Sequence, residues 1–157
     1  MTIYTTASPA ETIGTQLIRR HHPRLDETEV RFVFRDEHQT SKGKAVLART
    51  RLISGLNAWL AGGMPDDGDE PERFFLIEIA ADLWAELDAD GREALIDHEL
   101  CHCGIEQLDS GPRLYVTAHD LEEFVAIVAR HGTWRPEVEA LVKAGIQGRL
   151  PLDDEED

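Results

Sequence analysis

Cysteine is scarce in this chain of 157 residues: Cys101 and Cys103 are the only two, and standing one residue apart they cannot build the disulfide framework of a small secreted domain. A reducing compartment suits such a sequence. Long apolar runs are missing as well. No stretch approaches the roughly 18 consecutive apolar residues of a membrane span, and the N-terminal MTIYTTASPAETIG has neither the basic n-region nor the apolar h-region of an export signal. The expected location is the cytoplasm, without membrane attachment. Positive charge is also in short supply, with 16 Lys and Arg against 31 Asp and Glu and a formal net charge of −15. Such a field repels phosphate, so nucleic acid is not an expected partner. No internal repeat is present.

What is present is the composition of an ordinary globular protein, 41% hydrophobic and 30% charged, at a length that suits one domain. Residues 1–157 are expected to form that domain, with 152–157 a solvated, disordered acidic tail. Ser8-Pro9 reads as an N-cap followed by a first-turn proline, and Ile13, Leu17 and Ile18 give the helix that follows an apolar face up to His21. Val30, Phe32 and Phe34 alternate with Arg31, Val33 and Arg35 as in a half-buried strand. Lys44 to Ser54 is extended again, and the intervening HQTSKGK supplies a turn, which suggests a hairpin or adjacent strands. AGGMPDDGDEPER is a loop by composition.

FFLIEIA (Phe74 to Ala80) is a short apolar strand. The segment from Ala81 through GIEQL resolves into a short helical piece and a longer helix, which begins near Asp90 or Arg92 and has Gly104 close to its end. Leu114 to Thr117 is one more short strand or an extended loop. A further helix is expected from about His119 to Arg130, closed by His131-Gly132, and a last one from Pro136 to about Ala144.

The longer helix carries H-E-x-x-H as His98-Glu99-Leu100-Cys101-His102. Residues four apart on a helix lie about 40° apart and one turn from each other, so both imidazoles can reach one ion. Glu99 is rotated about 60° beyond His102, beside that ion, where a carboxylate can act as general base towards an attacking water. This makes Zn2+ the expected cofactor, His98 and His102 its ligands and Glu99 the catalytic residue. The five-residue motif alone is a weak filter, and its setting on a helix after a sheet strand strengthens it.

A catalytic zinc takes three protein ligands. His119 is the first candidate for the third, and Glu122 or Glu123 is the alternative; these two also suit an acidic helix N-terminus. Cys101, about 60° to the other side of His98, could complete a closed structural site, but a small buried residue packed on the sheet is the simpler account. His21, His22 and His38 lack ligand spacing and are expected to be exposed. Trp59, Trp84 and Trp134 are expected to fill core. Tyr115 lies between the two ligand-bearing segments, where a phenol could stabilise an oxyanion.

Through DHELCHCG and AHDLEEFVAIVARHGTW the chain resembles the zincin metallopeptidases, and more closely the phage metallopeptidase family, small proteins of phages and prophages. The likeness runs from about Val30 through Trp134 and takes in VRFVFRD, the Ser41-Lys42-Gly43-Lys44 turn, FFLIEIA, ALIDHELCH and HDLEEF. The chain order is also similar to that of the SprT-like peptidases, whose third ligand is a histidine in H-x-x-x-F. Here the corresponding stretch, His119 to Phe124, is one residue longer, and the DNA-associated basic or zinc-ribbon parts of those proteins have no counterpart.

The resemblance implies an α+β, zincin-like fold: a small twisted mixed sheet packed against an N-terminal helix and the H-E-x-x-H helix, with an edge strand able to bind an extended peptide. The expected function is zinc-dependent hydrolysis of peptide bonds in a peptide or protein substrate. The alternative is a non-catalytic, zinc-stabilised protein-interaction module of phage or prophage origin.

Overall fold

A computed structural model describes residues 1–148; the expected acidic tail lies outside the described residues. The chain divides into two compact units, one of residues 1–118 and one beginning at His119. The first unit is α+β, as expected. Its four-stranded mixed sheet has the order β1 (Tyr4–Thr6), β2 (Val30–Arg35), β6 (Phe74–Ala80), β5 (Ala48–Ile53). β2 runs parallel to β6, while β1 and β5 pair antiparallel with β2 and β6. The strands on either side of HQTSKGK are therefore not neighbours, because β6 lies between β2 and β5. The turn instead closes a separate small hairpin of β3 (Gln39–Ser41) and β4 (Lys44–Val46).

Phe75, Ile77 and Ile79 of β6 point the same way and are completely buried with Phe32, Leu17, Leu25, Ile96, Leu100 and Cys103. Each such side chain contributes about 1.5–3 kcal/mol on burial. The helices that cover them are α1 (Ser8–His21) and α4 (Ala89–Cys101). α1 approaches β2 closely because Gly14 has no side chain: a Cβ there would stand 2.4 Å from Cζ of Phe32. The N-cap of α1 is Ala7, without a side-chain hydrogen bond, so Ser8 is the first helical residue and not the cap. α2 (Gly55–Ala61), a helix not anticipated above, follows β5, and the loop of residues 62–73 leads to β6.

α3 (Ala81–Glu86) and α4 correspond to the short and long helical pieces, with Asp88 capping α4 by accepting the Gly91 N–H at 2.7 Å. α4 stops at Cys101, earlier than expected. Gly104 and the GIEQL segment belong to β7 (Cys103–Leu108), which forms an antiparallel hairpin with β8 (Gly111–Val116). Gly104 is not a helix cap. It faces Tyr115 across the hairpin, and a Cβ would stand 2.4 Å from Cε2 of that ring.

The second unit contains α5 (Val125–His131) and α6 (Pro136–Gln147). α5 begins six residues later than the helix expected from His119, so His119 lies in irregular chain and not at a helix start. Gly132, with φ of 65°, closes α5 as anticipated. Trp84 joins the core, but Trp134 is exposed.

Candidate metal centre

His98 and His102 stand on the last turn of α4 and at its C-cap. His102 has φ −72° and ψ −19°, still right-handed helical, so the one-turn spacing survives the end of the helix. The two rings lie 5.1 Å apart, edge to face. His98 is exposed and His102 half-buried.

The orientation of His102 is fixed by the β7–β8 hairpin. Its Nδ1 donates to the carbonyl of Thr117 at 2.6 Å, and its own carbonyl accepts the Thr117 N–H at 2.8 Å. A carbonyl can only accept, so the ring proton belongs on Nδ1 and the lone pair on Nε2. A histidine prepared to bind a metal through Nε2 has this arrangement.

Glu99, next to His98 on α4, is buried, 4% exposed. Thr50 Oγ1 lies 2.7 Å from its Oε2 and 3.1 Å from its carbonyl oxygen. Sequence analysis missed Thr50, although a signal was available. It occupies the inward row of β5 between Ala48 and Leu52, where a polar side chain must find a buried partner.

His119 opens the second unit and is exposed. Glu122 and Glu123 follow in irregular chain, and Glu123 Oε1 accepts the Phe124 N–H at 2.8 Å; neither is in the first turn of a helix. Tyr115 packs against Gly104, with the Arg113 guanidinium 4.9 Å from its ring centre.

Two expectations about side chains near α4 are overturned. Cys101 is exposed, and it is Cys103 that is buried. Burial pushes the Cys103 thiol up to about 12. His22, expected at the surface, is buried at 4% exposure. It joins Asp97 and Cys101 in a second grouping of ligand-type atoms, but its hydrogen bonds oppose a metal there. Arg24 Nη1 donates to His22 Nδ1 at 2.9 Å, so the ring proton sits on Nε2 and is given to Asp97 Oδ1 at 2.5 Å. A metal on Nε2 would move that proton onto Nδ1, against the guanidinium. The group instead fastens α4: Arg24 Nη2 also donates to the carbonyls of Leu100 and Cys103, each at 3.0 Å, and so caps the helix end that bears the histidines. His38 is exposed as expected; it bonds Asp82 Oδ2 at 2.7 Å and holds that carboxyl below its usual range.

A concavity of about 530 Å³ between Glu27, Glu70, Arg73 and the β7–β8 turn includes none of the histidines. A second one, about 430 Å³, is lined by His98 and Glu99 themselves.

Comparison with known families matches residues 2–145 to the family described as putative phage metallopeptidase. The chain belongs to that family. No match was found among curated proteins or among solved structures. Membership suggests a metallopeptidase and implies a metal ion, and paired imidazoles on one helix turn, one of them oriented through its outer nitrogen, are donors of the right chemistry for it. Among the described residues no helix is long and apolar enough to cross a membrane.

Proposed function

We propose that this member of the phage metallopeptidase family is a zinc-dependent peptidase, with His98, His102 and His119 as the metal ligands and Glu99 as the general base. The observation that carries the proposal is the Nδ1 hydrogen bond from His102 to the Thr117 carbonyl, which turns Nε2 into the ligand atom. Zinc, when bound, supplies Lewis acidity, acidifying water and polarising the carbonyl to be attacked. The remaining work falls to side chains. Thr50 anchors Oε2 of Glu99, and we assign the other carboxylate oxygen to proton transfer, from the attacking water and then to the leaving amine. His119 follows Thr117 by two residues, so chain length alone keeps its Cα within about 7 Å of the Thr117 Cα.

The substrate is a peptide or protein segment, and β5, outermost in the sheet, offers it an edge to pair with. The net charge of −15 argues against nucleic acid as the partner. The paired histidines and the downstream histidine also support the relation to SprT-like peptidases, and the scarcity of cysteine supports a cytoplasmic site of action.

Elemental analysis of untagged protein tests the ligand set. Zinc at one ion per chain should persist in Cys101→Ser and in a Glu122/Glu123 double alanine, and should be lost in His98→Ala and His119→Ala. Glu99→Gln should keep the metal and lose peptide cleavage. Retention of full cleavage by Glu99→Gln would refute the mechanism, and a metal held by four protein ligands including Cys101 would favour the interaction module.

A further inference from the structure

The concavity beside His98 and Glu99 has walls of a definite character. Leu87, just before α4, and Gly91, Ala94 and Leu95 on one face of that helix form one side; Leu47 and Ala48, where the chain enters β5, form the other. Leu47 is 40% exposed, and its backbone is held where its carbonyl accepts the Ala80 N–H at 2.9 Å. Gly91 and Ala94 bring little bulk to the helix face, and the space that remains, about 430 Å³, lies within the range of sites that take a ligand group. Its lining contains no lysine or arginine, its one carboxylate is that of Glu99, and the chain around it carries a net charge of −15.

We propose that this pocket binds an apolar side chain of the substrate, such as leucine or phenylalanine, next to the bond that is cut, and rejects aspartate and glutamate. The proposal rests on the peptidase reading of the same site and names the substrate class. Continuity with Glu99 and His98 places the occupant at the reacting centre. An acidic side chain would meet the Glu99 carboxylate, and the pocket walls offer it no lysine or arginine to pair with. An apolar side chain gains from removing the exposed Leu47 surface from water.

The test uses a degenerate, end-blocked decapeptide mixture. Wild type loaded with zinc digests it, and zinc-loaded Glu99→Gln retains peptides from it for sequencing. Leucine, isoleucine, methionine and phenylalanine should exceed aspartate and glutamate about tenfold or more at one position flanking the cut, and the same apolar residues should be enriched over polar ones among the peptides retained by Glu99→Gln, which lacks the repelling carboxylate. Ala94→Lys, a change at an exposed helix position that should leave the fold intact, should invert the preference towards acidic residues. Retention without an apolar preference, a preference that Ala94→Lys does not alter, or no retention at all would overturn the proposal. Ala94-dependent apolar retention by Glu99→Gln, together with no cleavage by wild type, would refute the peptidase reading and leave the pocket assignment standing.

Discussion

His102 and Thr117 hold each other twice, through the imidazole Nδ1 and the Thr117 carbonyl at 2.6 Å and through the Thr117 N–H and the His102 carbonyl at 2.8 Å. The β7–β8 ladder thereby continues one residue pair beyond Cys103 and Val116 and takes a candidate ligand into its register. Thr117→Pro removes the N–H bond and leaves the carbonyl in place, loosening the hairpin end that orients the ring. Zinc affinity, measured by competition with a chromophoric chelator, should fall by about 10–100-fold, the usual effect of disturbing a ligand's outer hydrogen bond. An unchanged affinity in folded Thr117→Pro would mean that the Thr117 N–H bond is not needed to hold the ring in place.

Thr50 is the only side-chain partner that the structure gives the buried Glu99 carboxylate among the described residues. Thr50→Val keeps the shape and removes the donor. The buried carboxylate then loses a hydrogen bond, and stability measured by urea unfolding should drop by about 1–3 kcal/mol. Peptide cleavage should fall with it while zinc content stays constant. Thr50→Ser, which restores the hydroxyl, should recover most of the cleavage; if it does not, the threonine methyl and not its hydroxyl matters.

The parts of this molecule that could be read from the sequence are those decided locally. Val30–Arg35 and Phe74–Ala80 announce themselves by alternation or apolar content, and α1, α3, α4 and α6 by their spacing and prolines. The i, i+4 histidines needed nothing beyond helix geometry. Pairing is another matter. β6 lies between β2 and β5, its backbone paired with one along each edge, and no local signal at HQTSKGK reports that. GIEQL has a helix-compatible composition, and its pairing with Gly111–Val116, where Tyr115 docks on the bare Cα of Gly104, is a contact that the segment itself does not announce. His22 shows the same limit: nothing near it in sequence announces Asp97, 75 residues away, as its partner.

The Gly104–Tyr115 contact gives a prediction that separates packing from capping. Were Gly104 a helix cap, alanine would cost about 1 kcal/mol through backbone strain, and Tyr115 would have no part in it. Opposite Tyr115, the added methyl stands 2.4 Å from Cε2 and 2.7 Å from Thr117 Oγ1, so the hairpin must open. Gly104→Ala should lower stability by about 1–3 kcal/mol in thermal or chemical unfolding, the usual range for overpacking. Tyr115→Ala in the same chain removes the nearest ring and should return part of that loss, a coupling that a double-mutant cycle reads directly.

Cys103 links the core to pH. Its thiol is raised from 9.0 to about 12, chiefly by burial; the nearby Arg24 opposes the shift and Glu99 adds to it. Between those two values the folded chain keeps a proton that the unfolded chain gives up, so unfolding is favoured progressively as pH rises. The contribution is complete below about pH 9 and declines above it. Urea midpoints taken from about pH 8 to about pH 10.5 should therefore fall more steeply for wild type than for Cys103→Val, which has no proton to lose at that position. Thiol labelling gives a check at one pH. The exposed Cys101 should react with a disulfide reagent in the native protein, and Cys103 only after denaturation. Two rapidly reacting thiols in the native state would show that β7 opens at its first residue, and the pH difference between the two proteins should then vanish as well.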